Sequence, residues 1–138
     1  MENTKDFKKK LRSAGLRPTK QRLSICNILF NRKQTFHFSV EELKDIIEKV
    51  DKSKVSLATI YNTINAFKNK GYLKKISINS DKSYFDTNTK NHHHFYDEDT
   101  KELIDLHDKD VQKIKINKSI SGKKITSIEI LVKVANSN

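Results

Sequence analysis

Apolar residues along the first half of the chain recur at helical spacing, in blocks closed by helix-stop residues. Phe7 and Leu11 stand four apart in a stretch that also carries Lys8, Lys9, Lys10 and Arg12. That spacing predicts a helix over Thr4–Ala14 with an apolar and a basic face. Gly15 follows, the residue type that ends helices in a left-handed conformation. Pro18-Thr19 opens a second helix running to about Asn31, with Leu23, Ile25, Ile28, Leu29 and Phe30 at helical positions. Ser39-Val40-Glu41-Glu42 is a capping-box pattern, which starts a third helix carrying Val40, Leu43, Ile46, Ile47 and Val50. Ser56 caps a fourth, in which Leu57, Ile60, Tyr61, Ile64 and Phe67 recur at i, i+3, i+4 spacing until Gly71 stops it.

After Gly71 the period changes. Two short strands, Tyr72–Ile78 and Lys82–Thr87, flank the polar turn Asn79-Ser80-Asp81. Helices followed by a β-hairpin is the order of a winged helix-turn-helix, whose last helix enters a major groove. A polar linker, Asn88-Thr89-Lys90-Asn91, leads to two further strands, His92–Tyr96 and Leu103–Leu106, around the turn Asp97–Lys101. Ile125–Val134 alternates strictly and predicts a third. Three strands make a small lobe with an exposed edge, a natural dimer seam. Residues 108–122 fit either a short helix or a loop packed down through Val111, Ile114 and Ile120. The expected fold class is α+β, a winged helix-turn-helix over residues 1–87 followed by a small α/β dimerisation and ligand-sensing lobe over 88–138.

Composition sharpens this picture. At 138 residues and 35% hydrophobic content the core is modest, so dimerising would bury useful apolar surface. The positive charge is confined to one side. Residues 1–90 hold 20 Lys/Arg against 9 Asp/Glu, whereas residues 91–138 hold 8 of each. A basic half points to a polyanion partner. The single Cys26 excludes an internal disulfide and a cysteine-based zinc site. No apolar run is long enough to span a bilayer and no signal peptide is evident, so a cytoplasmic protein is expected.

Two groups of residues carry candidate chemistry. On the fourth helix the non-apolar positions are Thr59, Asn62, Thr63, Asn65, Lys68 and Asn69. Thr and Asn near a helix N-terminus can reach base edges and phosphates, and Lys supplies phosphate contacts. Arg17, Lys20 and Arg22 add a second phosphate-facing edge. The plainer alternative is a solvated polar face on an ordinary helix. The second group is His92-His93-His94, followed by Asp97, Glu98, Asp99 and Asp105. In a strand His92 and His94 share a face while His93 points away. Two imidazoles at i, i+2 can chelate one ion, with carboxylates completing the shell. Solvated histidines at a polar strand end are the plainer alternative.

Ala14-Gly15-Leu16-Arg17-Pro18-Thr19, then Arg22, Ala58-Thr59-Ile60-Tyr61-Asn62-Thr63-Ile64 and the histidine run together resemble the ferric uptake regulator superfamily of bacterial metalloregulators. The resemblance runs in order over about residues 7–107. Tyr61-Asn62-Thr63, Tyr84-Phe85-Asp86-Thr87-Asn88 and His92-His93-His94-Phe95-Tyr96 are most similar to its iron response regulator branch. The resemblance implies a homodimer binding double-stranded operator DNA. Arg17 would enter a minor groove and Tyr61 would meet thymine methyls, with Thr19, Lys20, Arg22, Thr59, Asn62 and Thr63 beside them. Many relatives have Arg where this chain has Asn62; Asn favours adenine, which suits an AT-rich inverted repeat. Motif position implies a regulatory metal site at His37, Asp86, His92, His94 and Asp105. For the iron response branch it implies haem at His92, His93 and His94.

The chain also departs from the family pattern. Asp97 and Thr100 occupy the places of the first zinc-binding cysteine pair and the second pair is missing, so no four-cysteine structural zinc is expected. Ile128 and Gln112 stand near positions where a second metal site would need ligands, leaving His93 alone. Asn27, not Pro, follows Cys26, so a Cys-Pro haem motif is missing. The expectation is a regulator of iron or haem genes with iron or haem at its regulatory site, manganese or zinc being in vitro substitutes. One rival is a repressor of the same family sensing Fe(II), Mn(II) or peroxide. The other is a metal-dependent hydrolase, against which stand the small size, the charge split and the lack of a nucleophile motif.

Overall fold

A computed structural model describes residues 2–52 and 54–137. Contacts divide the chain into two compact units, residues 1–89 and 90–138. In the first, α1 (Thr4–Ser13) is held by a reciprocal capping box between Asn3 and Asp6. It buries Phe7 and Leu11, and Gly15 follows at φ +81°. Thr19 caps α2 (Lys20–Phe30) by accepting from the Arg22 amide. Ser39 does the same for α3 (Val40–Asp51) through Glu42, and Ser56 for α4 (Leu57–Lys70) through Thr59. Gly71, at φ +90°, closes α4 in the left-handed conformation that a side chain would disfavour. Each helix thus starts on a side-chain cap that satisfies an otherwise orphaned amide.

The four helices bury one core. Phe7, Leu11, Ile25, Cys26, Leu29, Phe38, Leu43, Ile47, Ile60, Ile64 and Phe67 lie within it, 0–4% exposed. A strand pair closes one side, β2 (Lys74–Ser77) against β3 (Ser83–Asp86), joined through a turn in which Asn79 Oδ1 accepts from the Asp81 and Lys82 amides. A third strand, β1 (His37–Phe38), was not expected from the pattern. It pairs antiparallel with β3, setting His37 opposite Asp86 and Phe38 opposite Phe85. A two-residue strand has no periodicity to read; its partner lies some fifty positions away and defines it.

In the second unit β4 (His93–Asp97) lies between β5 (Leu103–Leu106), antiparallel, and β6 (Leu131–Val134), parallel. The alternation from Ile125 is realised as strand only at these last four residues. Residues 108–122 contain a single 3-10 turn, Asp108–Asp110, and otherwise neither the short helix nor a strand. Ile116, Ile120 and Ile125 are exposed, and only Val111 and Ile114 of that stretch are half-buried. Among the described residues no helix is long and apolar enough to cross a membrane.

Candidate functional site

The first unit presents the outward polar face expected on α4. Ile60, Ile64 and Phe67 point into the core, so Tyr61, Asn62, Asn65, Lys68 and Asn69 are turned outward, with Tyr61 42% exposed. Thr59 is half-buried, its hydroxyl paired with that of Ser56 at 2.9 Å. Thr63 corrects the expectation. It is fully buried and its hydroxyl donates to the Thr59 carbonyl at 2.8 Å, so it serves the helix and not a base edge. Its polar type hid this, although the helical wheel places Thr63 beside Ile60, Ile64 and Phe67. A cleft of about 600 Å³ separates Tyr61 and Asn65 from the hairpin residues Lys75 and Lys82. Sequence reasoning passed over those two lysines because wing residues carry no periodic signal of their own.

The loop before α2 divides the basic residues by role. Arg17 and Lys20 are exposed. The Thr19 hydroxyl is taken up as the α2 cap, accepting from the Arg22 amide at 3.2 Å. Arg22 is half-buried and donates from Nη1 to the Arg17 carbonyl at 2.8 Å. Farther along this unit, His37 and Asp86 are cross-strand neighbours on β1 and β3. Asp86 is buried and accepts from the Asn88 amide at 2.8 Å. Lys74 faces it from β2; burial pushes the Lys74 ammonium below its ordinary pKa, and the Asp86 charge partly offsets this.

In the second unit the histidine run divides into two chemical roles. The β4–β5 register sets His94 opposite Asp105, so both side chains stand on one face of the sheet. His94 Nε2 lies 3.4 Å from Asp105 Oδ1 and His92 Nε2 lies 3.7 Å from the same oxygen. The His92 and His94 ring centroids are 4.3 Å apart. His92 Nδ1 is 2.7 Å from the Lys90 carbonyl, and a carbonyl only accepts, so Nδ1 carries the proton. In a neutral ring Nε2 then presents a lone pair toward the carboxylate. A proton or a cation between this nitrogen and the carboxylate would be favourable there. An imidazole oriented through its other nitrogen by a backbone carbonyl is also how metal-ligating histidines are commonly held. The ligand atoms of His92, His94 and Asp105 lie within 4.8 Å of one another, an N/N/O donor set suited to a first-row divalent ion.

His93 behaves differently. The Ile130 amide donates to its Nδ1 at 2.9 Å, which leaves the proton on Nε2, 3.0 Å from Asp108 Oδ1. Both ring nitrogens are engaged and the ring is 5% exposed. Haem ligation by His93 would break one of these bonds, and as placed the ring acts as an internal support. Gln112 and Ile128 line the same hollow beside it, of about 530 Å³. At the β4–β5 turn Asp97 Oδ1 accepts from the Asp99 amide at 2.9 Å and the Thr100 amide at 3.1 Å. These bonds hold the Asp97 carboxyl below its ordinary pKa, that from Thr100 most strongly. Cys26 is buried in α2, where desolvation pushes its thiol up to about 12.

The ferric uptake regulator family model matches residues 13–133. The chain is 34% identical over 96 residues to the peroxide-responsive repressor PerR of Staphylococcus aureus, a match covering 70% of this chain and 63% of that repressor's length. Among solved structures it resembles the Vibrio cholerae ferric uptake regulator, at 24% identity and TM-score 0.70, covering 94% of this chain and 98% of that one. It also resembles the ferric uptake regulator of Pseudomonas aeruginosa with manganese, at 22% identity and TM-score 0.66, covering 96% and 98%. At these identities the two structures establish the likeness of fold.

Proposed function

The chain belongs to the ferric uptake regulator family, and from that premise we propose that it is a homodimeric, metal-responsive transcription regulator binding operator DNA. The membership sets the hydrolase alternative aside. The unit holding α1–α4 and the hairpin reads DNA through Tyr61 and Asn62, with Arg17, Lys20 and the N-terminal turn of α4 around Thr59 on the backbone. The outward turn of these side chains on a basic unit supports the assignment. A two-fold dimer matches an inverted-repeat operator, and Asn62 favours adenine within it.

One observation carries the sensing half of the reading: the potential ligand atoms of His92, His94 and Asp105 lie within 4.8 Å of one another. These three residues would hold a divalent ion, whose charge would balance the Asp105 carboxylate. The family motif adds His37 and Asp86 to the ligand set, and that addition rests on motif position alone. Two finer readings follow. The histidine run favours the iron response branch, with iron or haem as effector and His92 and His94 as ligands. The engaged nitrogens of His93 favour a bare ion, Fe(II) or Mn(II), whose state also reports peroxide.

The test is anaerobic titration of the full chain with Fe(II), Mn(II), Zn(II) and haem. Operator binding and the absorption spectrum are the readouts, on wild type and the His92→Ala/His94→Ala variant. The reading expects the variant to lose its response while keeping basal DNA binding. It also expects His93→Ala to keep the metal response, and the dimer to survive a zinc chelator in sedimentation. A ligand response unchanged in the double variant overturns the sensor assignment.

A further inference from the structure

Sequence position places Arg22 among the residues expected at DNA. Its surroundings assign it another task. The segment between α1 and α2 is fastened at both ends. At the α1 end Gly15 takes a left-handed φ, its amide bonds the Arg12 carbonyl at 3.0 Å, and the Leu16 amide bonds the Leu11 carbonyl at 2.9 Å. Leu16 packs against the core. At the α2 end Pro18 fixes its own φ and has no amide hydrogen, and Thr19 caps the helix. Between these fixed points stands Arg17, with an exposed side chain. Its carbonyl is the acceptor that Arg22 Nη1 takes at 2.8 Å from within the first turn of α2. The rest of the Arg22 side chain is drawn inward: the residue is half-buried and its Nε is buried with no hydrogen-bond partner.

We propose that Arg22 is a positioning residue for DNA recognition: by bonding the Arg17 carbonyl it sets the direction in which the Arg17 side chain leaves the protein. The inference rests on the DNA-binding reading above and refines it. A guanidinium that fastens a backbone carbonyl is a charge-assisted hydrogen bond, stronger than a neutral pair. It removes conformational freedom from the loop before DNA arrives, so less ordering cost falls on binding. The half-burial of Arg22 and the inward placement of Nε tie this charge to the protein. Lys20 and Arg17, both exposed, are the ones placed to meet phosphates or a groove.

The experiment is a double-mutant cycle on the full chain, with Arg17→Ala, Arg22→Met and the pair combined. Arg22→Met keeps the apolar stem and removes the donor. The probe is a duplex selected from a randomised pool by the wild-type protein, with a scrambled duplex beside it, measured over a salt series. Arg22→Met alone is expected to weaken binding of the selected duplex by about tenfold, as a lost charge-assisted contact of this class does. On the Arg17→Ala background it should change affinity less than about twofold and leave the salt slope unaltered. Arg22→Lys, which restores one donor, should recover part of the loss. Backbone relaxation of the Arg17 amide in the free protein should show lower order in Arg22→Met.

Losses that multiply in the double variant overturn the proposal. If the salt slope also drops by about one, Arg22 is a direct phosphate contact. If the slope holds and the melting temperature falls in both backgrounds, Arg22 is a general support of α2. Should Arg22→Met fail to fold, the cycle is run with Arg22→Lys and Arg22→Gln, and additive losses there overturn the proposal equally. A wild-type chain that selects no duplex and binds neither probe refutes the DNA-binding reading itself, an outcome separate from these.

Discussion

Cys26 gives the sharpest quantitative test of how the first unit is built. Its side chain is fully buried in the core between the helices, and burial pushes the thiol from 9.0 up to about 12, with Lys10 pulling weakly the other way. The unfolded chain therefore begins to lose this proton near pH 9, while the native chain keeps it until about pH 12. Above pH 9 the unfolded state binds fewer protons than the native one, so stability falls as pH rises; below pH 9 the contribution is fully present. With these two pKa values the loss between pH 8 and pH 10 comes to about 1.4 kcal/mol. Urea unfolding of wild type and Cys26→Ala at both pH values isolates it, because Lys and Tyr titrations are common to the two proteins and cancel. The stability difference between them should shrink by that amount. At pH 8 the native thiol also holds roughly a thousandfold less thiolate than the unfolded one, so alkylation should proceed through opening of the fold. Parallel stability curves, or native-state alkylation as fast as in urea, would refute the burial argument. The same reasoning removes Cys26 as a thiolate ligand or as the group that meets peroxide in the folded protein.

Three other outcomes follow from the geometry. DNA affinity should fall steeply with salt because the positive excess lies in the half proposed to bind DNA, and Arg17→Ala or Lys20→Ala should each flatten the log–log slope by about one; a slope near zero contradicts the nucleic-acid reading. Tyr61→Ala and Asn62→Ala should lose discrimination between selected and scrambled duplexes, about 1–3 kcal/mol for each base contact, whereas Thr63→Val should move the melting temperature and spare discrimination. Asp97→Ala should weaken the second unit at neutral pH. Because hydrogen bonds from the Thr100 and Asp99 amides hold the Asp97 carboxyl below its ordinary value, its contribution is present above the usual carboxylate range and vanishes as pH falls through the lowered pKa, so circular dichroism should show the two acid-unfolding curves converging.

The sequence determined what short-range physics decides. Four helices were legible with boundaries within a residue or two, because each begins at a capping side chain and the first and last end at glycine, and those signals act within one turn. The hairpin and the strand Leu103–Leu106 were legible from alternation and turn residues. His92 and His94 were legible as a pair because strand geometry alone puts alternate residues on one face. The tertiary structure decided whatever depends on a distant partner. His37–Phe38 is a strand because β3 pairs with it, and the alternating run from Ile125 is strand only where four residues of β4, His94 to Asp97, lie alongside. The same holds for roles. Thr63, His93 and Arg22 carry side chains that suit DNA or metal equally well on paper. In the structure a carbonyl on α4, an amide at Ile130 and the carbonyl of Arg17 each engage one of them within the fold. A polar group's function is set by which partner reaches it first, and in a folded chain that partner is fixed by packing between segments far apart in sequence.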